Sequence, residues 1–241
     1  PVYQAYVGSQ YESTPITGQS NQGIYLGPTP SAGQTKHLFA LSAGTSTASV
    51  PLTLLLADYL MFYPLIDMDS LDPQDMTNSL SLTRYTSGEG VRAYFVVAAP
   101  MVSNGTVTVT YTNSEGTSNR TTTFGITFSG TIGTIVNNSN STLVAGAAAP
   151  VIPLANGDKG IRSIQTVTCN ASMGGFCNIV LVKPLATHLI REQNTEAETV
   201  FFTSKANCVQ IQPGAYLNFI ALNNTATTFA PLRGFVQFIW N

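Results

Sequence analysis

VRAYFVVAAPMVSNGTVTVTYT, residues 91–112, decides how this chain is read. Its first half, Val91 to Met101, is an almost unbroken apolar run, as expected of a strand covered on both faces. Asn104-Gly105 follows. It is the strongest short hairpin signal, because both central residues of such a turn take positive φ. The second half alternates, with Val107, Val109 and Tyr111 on one face and Thr106, Thr108, Thr110 and Thr112 on the other. Threonine on the outward face supplies β-propensity without charge. The stretch predicts two strands joined by a hairpin, the first fully buried and the second half-buried.

The same code continues downstream. A turn at 114–119 leads into Thr122, Phe124, Ile126 and Phe128, again with period two. Val136 to Ala149, polar and then small, reads as a loop. Further strands are expected at Ile161–Cys169, Phe176–Lys183, Val200–Thr203, Cys208–Gln212, Tyr216–Ala221 and Phe235–Trp240, with the lone Trp240 in the core. Asn156-Gly157-Asp158, Gly174-Gly175 and Gln212-Pro213-Gly214 mark turns between them. Strands recurring with turn signals predict an all-β fold, a β-sandwich or jelly-roll-like architecture.

Upstream the code changes. Leu52, Leu55, Leu56, Tyr59, Leu60 and Tyr63 repeat at helical spacing, Ser49 and Pro51 suit a helix start, and Pro64 suits its end. These signals predict one buried helix over residues 50–63, with Asp58 as its exposed edge or a paired carboxylate. Residues 1–35 are rich in Gly, Ser, Thr, Gln and Pro and predict an extended N-terminal arm. Tyr3, Tyr6, Tyr11 and Tyr25 are its candidate docking residues. Residues 36–241 then form a single β-sandwich domain, a size that all-β folds often reach as one unit.

Composition narrows the function. Only 9% of the 241 residues are charged, ten Lys and Arg and twelve Asp and Glu, against roughly a quarter in an ordinary soluble domain. Such a surface suits a rigid β-structure packed against copies of itself or a larger partner. The net charge of −2 gives no reason to expect nucleic acid or an anionic membrane as partner. The longest apolar run, Leu52 to Ile66, is too short to cross a bilayer. No basic stretch followed by an apolar one opens the chain, so a cytoplasmically made protein is expected. Cys169, Cys177 and Cys208 form no CxxC pair; they read as buried thiols, with a Cys169–Cys177 bridge as the alternative.

Tests for chemistry return little. Asp67, Asp69, Asp72 and Asp75 loosely follow a calcium-loop spacing, but Asp72 stands where the glycine belongs and Asn78 where the bidentate Glu belongs. The run Asp72-Pro73-Gln74-Asp75 reads instead as a turn opening a short helix. His37 and His188 lack a nucleophile elbow, so no Ser-His-Asp site is expected. Glu196 and Glu198 read as a solvated edge or as partners of Arg191 and Lys205. RYTSGEGVR, residues 84–92, places a Gly-x-Gly turn between Arg84 and Arg92, either an anion cradle or two arginines that bridge acidic partners across a subunit boundary. No catalytic residue, cofactor or metal ligand is assigned.

Residues 58–97 carry Tyr59, Tyr63-Pro64, Asp67, Asp69, Gln74, Arg84-Tyr85-Thr86, Gly88, Gly90 and Val91. This pattern, about one sixth of the chain, resembles virion structural proteins of tailed bacteriophages. The resemblance implies an auxiliary capsid (decoration or cement) protein located in the virion, a homo-oligomer, with a trimer favoured, bound to the major capsid protein. It implies no active residue. The expected function is therefore stabilisation of a phage head by bridging major capsid subunits, and not an enzyme. Arg84, Arg92 and the four tyrosines are the candidate interface. The alternative is a carbohydrate-binding or receptor-binding module, which would present exposed aromatics.

Overall fold

The computed structural model describes residues 9–18, 23–46, 50–139, 148–201, 208–223 and 231–240. The fold is all-β and sandwich-like, and no helix occurs among the described residues. The strands in chain order are β1 (Thr14–Pro15), β2 (Lys36–Thr45), β3 (Leu52–Asp67), β4 (Gln74–Asp75), β5 (Arg92–Ala99), β6 (Gly105–Asn113), β7 (Arg120–Thr127) and β8 (Asn137–Ser139). They continue with β9 (Ala148–Ala149), β10 (Ile161–Cys169), β11 (Phe176–Ile190), β12 (Ala197–Val200), β13 (Gln210–Ile211), β14 (Leu217–Asn223) and β15 (Leu232–Trp240).

The stretch predicted as a helix is the 16-residue strand β3. From Leu54 to Pro64 every residue is buried. A strand covered on both faces needs no polar alternation, and such an apolar run fits a buried helix equally well by periodicity. Non-local pairing decides: Leu52–Asp58 runs antiparallel to β14, and Met61 and Phe62 pair with β1. Asp58 is fully buried and its Oδ1 accepts the Tyr216 amide at 2.9 Å, so it is no exposed edge.

The chain divides into two compact units. Among the described residues the larger comprises 9–16 and 59–183, the smaller 17–58 and 184–240. In the larger unit one sheet has the order β1-β3-β11-β5 and the other β4-β10-β6-β7-β8-β9. Their inner faces interdigitate. Tyr63, Phe95, Val97, Ile179 and Leu181 of the first sheet meet Val107, Val109, Phe124, Ile164 and Val167 of the second. Tyr63 ties them with polar bonds, donating to Asn78 Oδ1 at 2.7 Å and accepting the Ile164 amide at 3.1 Å.

The hairpin expected at Asn104-Gly105 is absent. β5 pairs with β11, and β6 with β10 and β7, so residues 100–104 cross from one sheet to the other. The true hairpin is β6–β7, closed by the 114–119 turn with Gly116 and Asn119 at positive φ. Gly105 is needed for space, since a Cβ there would lie 2.5 Å from Met173 Sδ. The loop expected at 136–149 contains the short strands β8 and β9, with 140–147 outside the described residues. The short helix expected after Asp72 is replaced by β4, paired with Thr166 and Val167.

In the smaller unit β2 is central, flanked by β15 on one edge and by β12 and β13 on the other. Leu38, Leu56, Ile211 and Leu217 form its core, with Val236 and Phe238 packed against it. Trp240 is 43% exposed and does not join that core.

Candidate functional site

A strongly charged concavity lies on the larger unit, a cleft of about 610 Å³. It is lined by Tyr85, Ser87, Glu89, Gly90, Arg92, Asp158, Lys159 and Lys183. The segment before β5 builds one wall. Tyr85, Gly88 and Gly90 all take positive φ, which curls the chain tightly. Gly90 is favoured by its φ of 71°, and a Cβ there would also press on the Lys183 ammonium. Lys183 donates to the Glu89 carbonyl at 2.7 Å and lies 5.5 Å from the Tyr85 ring centroid. Burial lowers the pKa of its ammonium, with Glu89 opposing and Arg92 adding to the shift.

The opposite wall is the 155–160 turn, fastened from beneath. Tyr111 donates to Asp158 Oδ2 at 2.6 Å, Asn113 to Oδ1 at 2.8 Å, and Arg120 Nε to Oδ2 at 2.9 Å. Burial alone would raise the Asp158 carboxyl. The Arg120, Tyr111 and Asn113 donors outweigh it and hold the group below its ordinary value. Tyr111 is correspondingly pushed up to about 12, by burial and by the bond it gives Asp158. Arg92 donates to the Lys159 carbonyl at 2.9 Å, closing the two walls together. Arg162, just outside, donates to the carbonyls of Ser87 and Ser114, both at 2.9 Å.

The cleft is thus built to present positive charge. Asp158 is consumed by Arg120, whereas Arg92, Lys159, Arg162 and Lys183 have no carboxylate partner among the described residues. The turn does not cradle an anion with its backbone: the amides of Gly88, Gly90 and Val91 already bond the carbonyls of Tyr85, Lys159 and Gly88. Side-chain cations would carry any anionic group bound there.

The other residues singled out from the sequence are dispersed. Arg84 is buried and donates to the carbonyls of Ile16 and Tyr59, both at 2.9 Å, so it clamps the larger unit internally. Tyr11 is half-buried against the same unit's core, its amide bonded to the Pro64 carbonyl. Burial, then Asp67 and Cys169, raise its hydroxyl pKa. Tyr25 is 76% exposed on the smaller unit. Tyr3 and Tyr6 lie outside the described residues. Residues 9–16 run along the second half of β3, through the β1 pairing and the Ile16 amide to the Leu60 carbonyl.

No group of three or more His, Cys, Asp or Glu among the described residues is placed to hold a metal ion. His188 is buried with Nδ1 2.9 Å from Thr199 Oγ1, and His37 Nε2 meets Thr35 Oγ1 at 2.8 Å. Glu198 lines a second, smaller depression of about 450 Å³ with Arg191, while Glu196 accepts a hydrogen bond from the Ser42 hydroxyl. The two carboxylates do not converge. Cys169 and Cys177 are buried thiols that form no disulfide with each other. Burial pushes Cys169 up to about 11 and Cys177 to about 12, which removes their nucleophilic character at neutral pH.

Sequence reading found Arg92 but missed Lys159, Arg162 and Lys183. They are isolated in sequence, and only the return of β10 and β11 to the start of β5 gathers them. Compared with known proteins, the chain matches no family model, no curated protein and no solved structure.

Proposed function

We propose that this chain is a virion structural protein, a capsid decoration (cement) protein that stabilises a phage head by bridging major capsid subunits, assembled as a homo-oligomer with a trimer favoured. The observation that carries the reading is the surface. At one end of the larger unit Leu71, Val102, Phe128, Ile132 and Phe176 are all exposed, on a chain of which only 9% of the residues are charged. Clustered apolar exposure on a rigid β-scaffold marks a surface meant for protein contact. Interface area, with no turnover, is the mechanism. The test is mass spectrometry of purified virions from the phage that encodes the chain, followed by thermal challenge of heads with and without it. Its peptides at stoichiometric abundance and a higher rupture temperature are the expected result; virions lacking it would end the reading.

A specific observation favours glycan binding as the second reading. Tyr25 and Trp240 are exposed, and the Lys36 ammonium lies 5.4 Å from the Trp240 ring and donates to the Leu26 and Pro28 carbonyls, the first of which follows Tyr25 in the chain. Exposed aromatics offer stacking faces to sugar rings. Quenching or shift of the Trp240 fluorescence on titration with oligosaccharides distinguishes this reading, since a cement protein gives no response.

A further inference from the structure

Charge is segregated along the strands of the larger unit. One end holds Arg92, Arg120, Lys159, Arg162 and Lys183, half of the chain's ten cations, against Glu89, Glu115 and Asp158. The other end holds Asp67, Asp69 and Asp72 beside the Cys169–Gly175 turn, with Asp75 behind them on β4. The β5–β11 register fixes this opposition: Arg92 pairs with Val182 at the basic end, and Ala99 with Phe176 at the acidic end. At about 3.3 Å per residue the two ends stand about 23 Å apart. That exceeds the Debye length of about 8 Å at physiological ionic strength, so one copy does not neutralise itself.

We propose that the basic cleft is the docking site for the Asp-rich end of a second copy of this chain, giving a head-to-tail contact. Complementarity selects the occupant. The cleft presents Arg92, Lys159 and Lys183 without carboxylate partners among the described residues, and Asp69 and Asp72 are exposed in the segment between β3 and β4. Leu71, 56% exposed between them, supplies the apolar contact against the cleft floor at Tyr85. A two-fold contact of either end with itself would oppose like charges. A heterologous contact avoids this, and it closes into a ring such as a trimer or grows as a filament.

The test uses charge reversal at two exposed side chains that make no internal bond, Lys159→Glu and Asp72→Lys, in the full chain, with circular dichroism as the check on folding. Self-association is measured by light scattering and sedimentation at 10 mM and 1 M salt. The wild type should associate at low salt and dissociate at high salt. Each single reversal should weaken association at least about tenfold, the scale of one lost charge pair. Mixing the two variants, or combining both reversals in one chain, should restore it. A wild type that stays monomeric at low salt, reversals without effect, or variants that fail to rescue each other would each overturn the contact. The inference rests on the proposed function only in taking the occupant to be another copy. Virion content is read separately, so a virion protein indifferent to these reversals refutes the contact alone. A chain that assembles this way yet is missing from virions refutes the virion reading alone.

Discussion

β3 and β6 are strands of one fold written in opposite codes. β6 alternates buried and half-buried residues from Val107 to Asn113, because one face meets the core and the other carries threonines toward water. β3 is buried almost throughout, so nothing in it alternates. The difference teaches that period two reports a wet face and not strand geometry itself. Where both faces are dry, the pattern vanishes and a chance i, i+3, i+4 spacing of leucines stands out in its place.

Three experiments sharpen that contrast, taken from the largest effect down. Leu56 sits in β3 with no exposed surface and packs with Leu38 and Leu217. Leu56→Ala should cost about 2–5 kcal/mol, from lost transfer energy plus the cavity left behind. Urea unfolding reads this as a lower midpoint; a cost under about 1 kcal/mol would mean that β3 is not dry on both faces.

The next effect tests the foot of β6, where Tyr111 and Asn113 hold Asp158. Asp158→Ala should cost about 1–3 kcal/mol, because it leaves those two donors without their acceptor. The carboxyl is depressed in the folded state, so its contribution is present above the unfolded value of about 3.9 and is lost as pH falls through the folded value. The gap between wild type and variant should therefore be full at pH 6 and narrow below about pH 4. A gap independent of pH would show that the carboxylate charge contributes nothing.

The smallest effect is on the wet face of β6. Thr108 exchanges a hydroxyl contact with Thr123 at 2.9 Å across the hairpin. Thr108→Ala should change stability by less than about 0.5 kcal/mol, as surface substitutions usually do. A cost approaching that of Leu56→Ala would erase the distinction between the two strands.

The site was legible only in fragments. Arg92 and its Gly-x-Gly turn are visible in the sequence because glycine between cations is a local signal. Arg84, its apparent twin, turns inward to bond two carbonyls, and no local pattern tells the two apart. Lys159 and Lys183 reach the cleft from 67 and 91 positions beyond Arg92, on segments whose own composition announces nothing. Trp240 shows the converse error: an aromatic in a strong strand reads as core, yet β15 is an edge whose faces are only partly covered.

By itself the sequence determined the all-β class, the half-wet strands β6 and β7, the existence of β10, and a composition poor in charge, because these follow from local period, turn signals and composition. The tertiary structure alone decided that residues 52–67 are strand, that β5 and β6 part to different sheets at residues 100–104, and that half of the cations gather at one end. Each of those depends on pairing between residues far apart in the chain. Long-range hydrogen bonds and burial override local spacing whenever the local pattern fits two structures equally well.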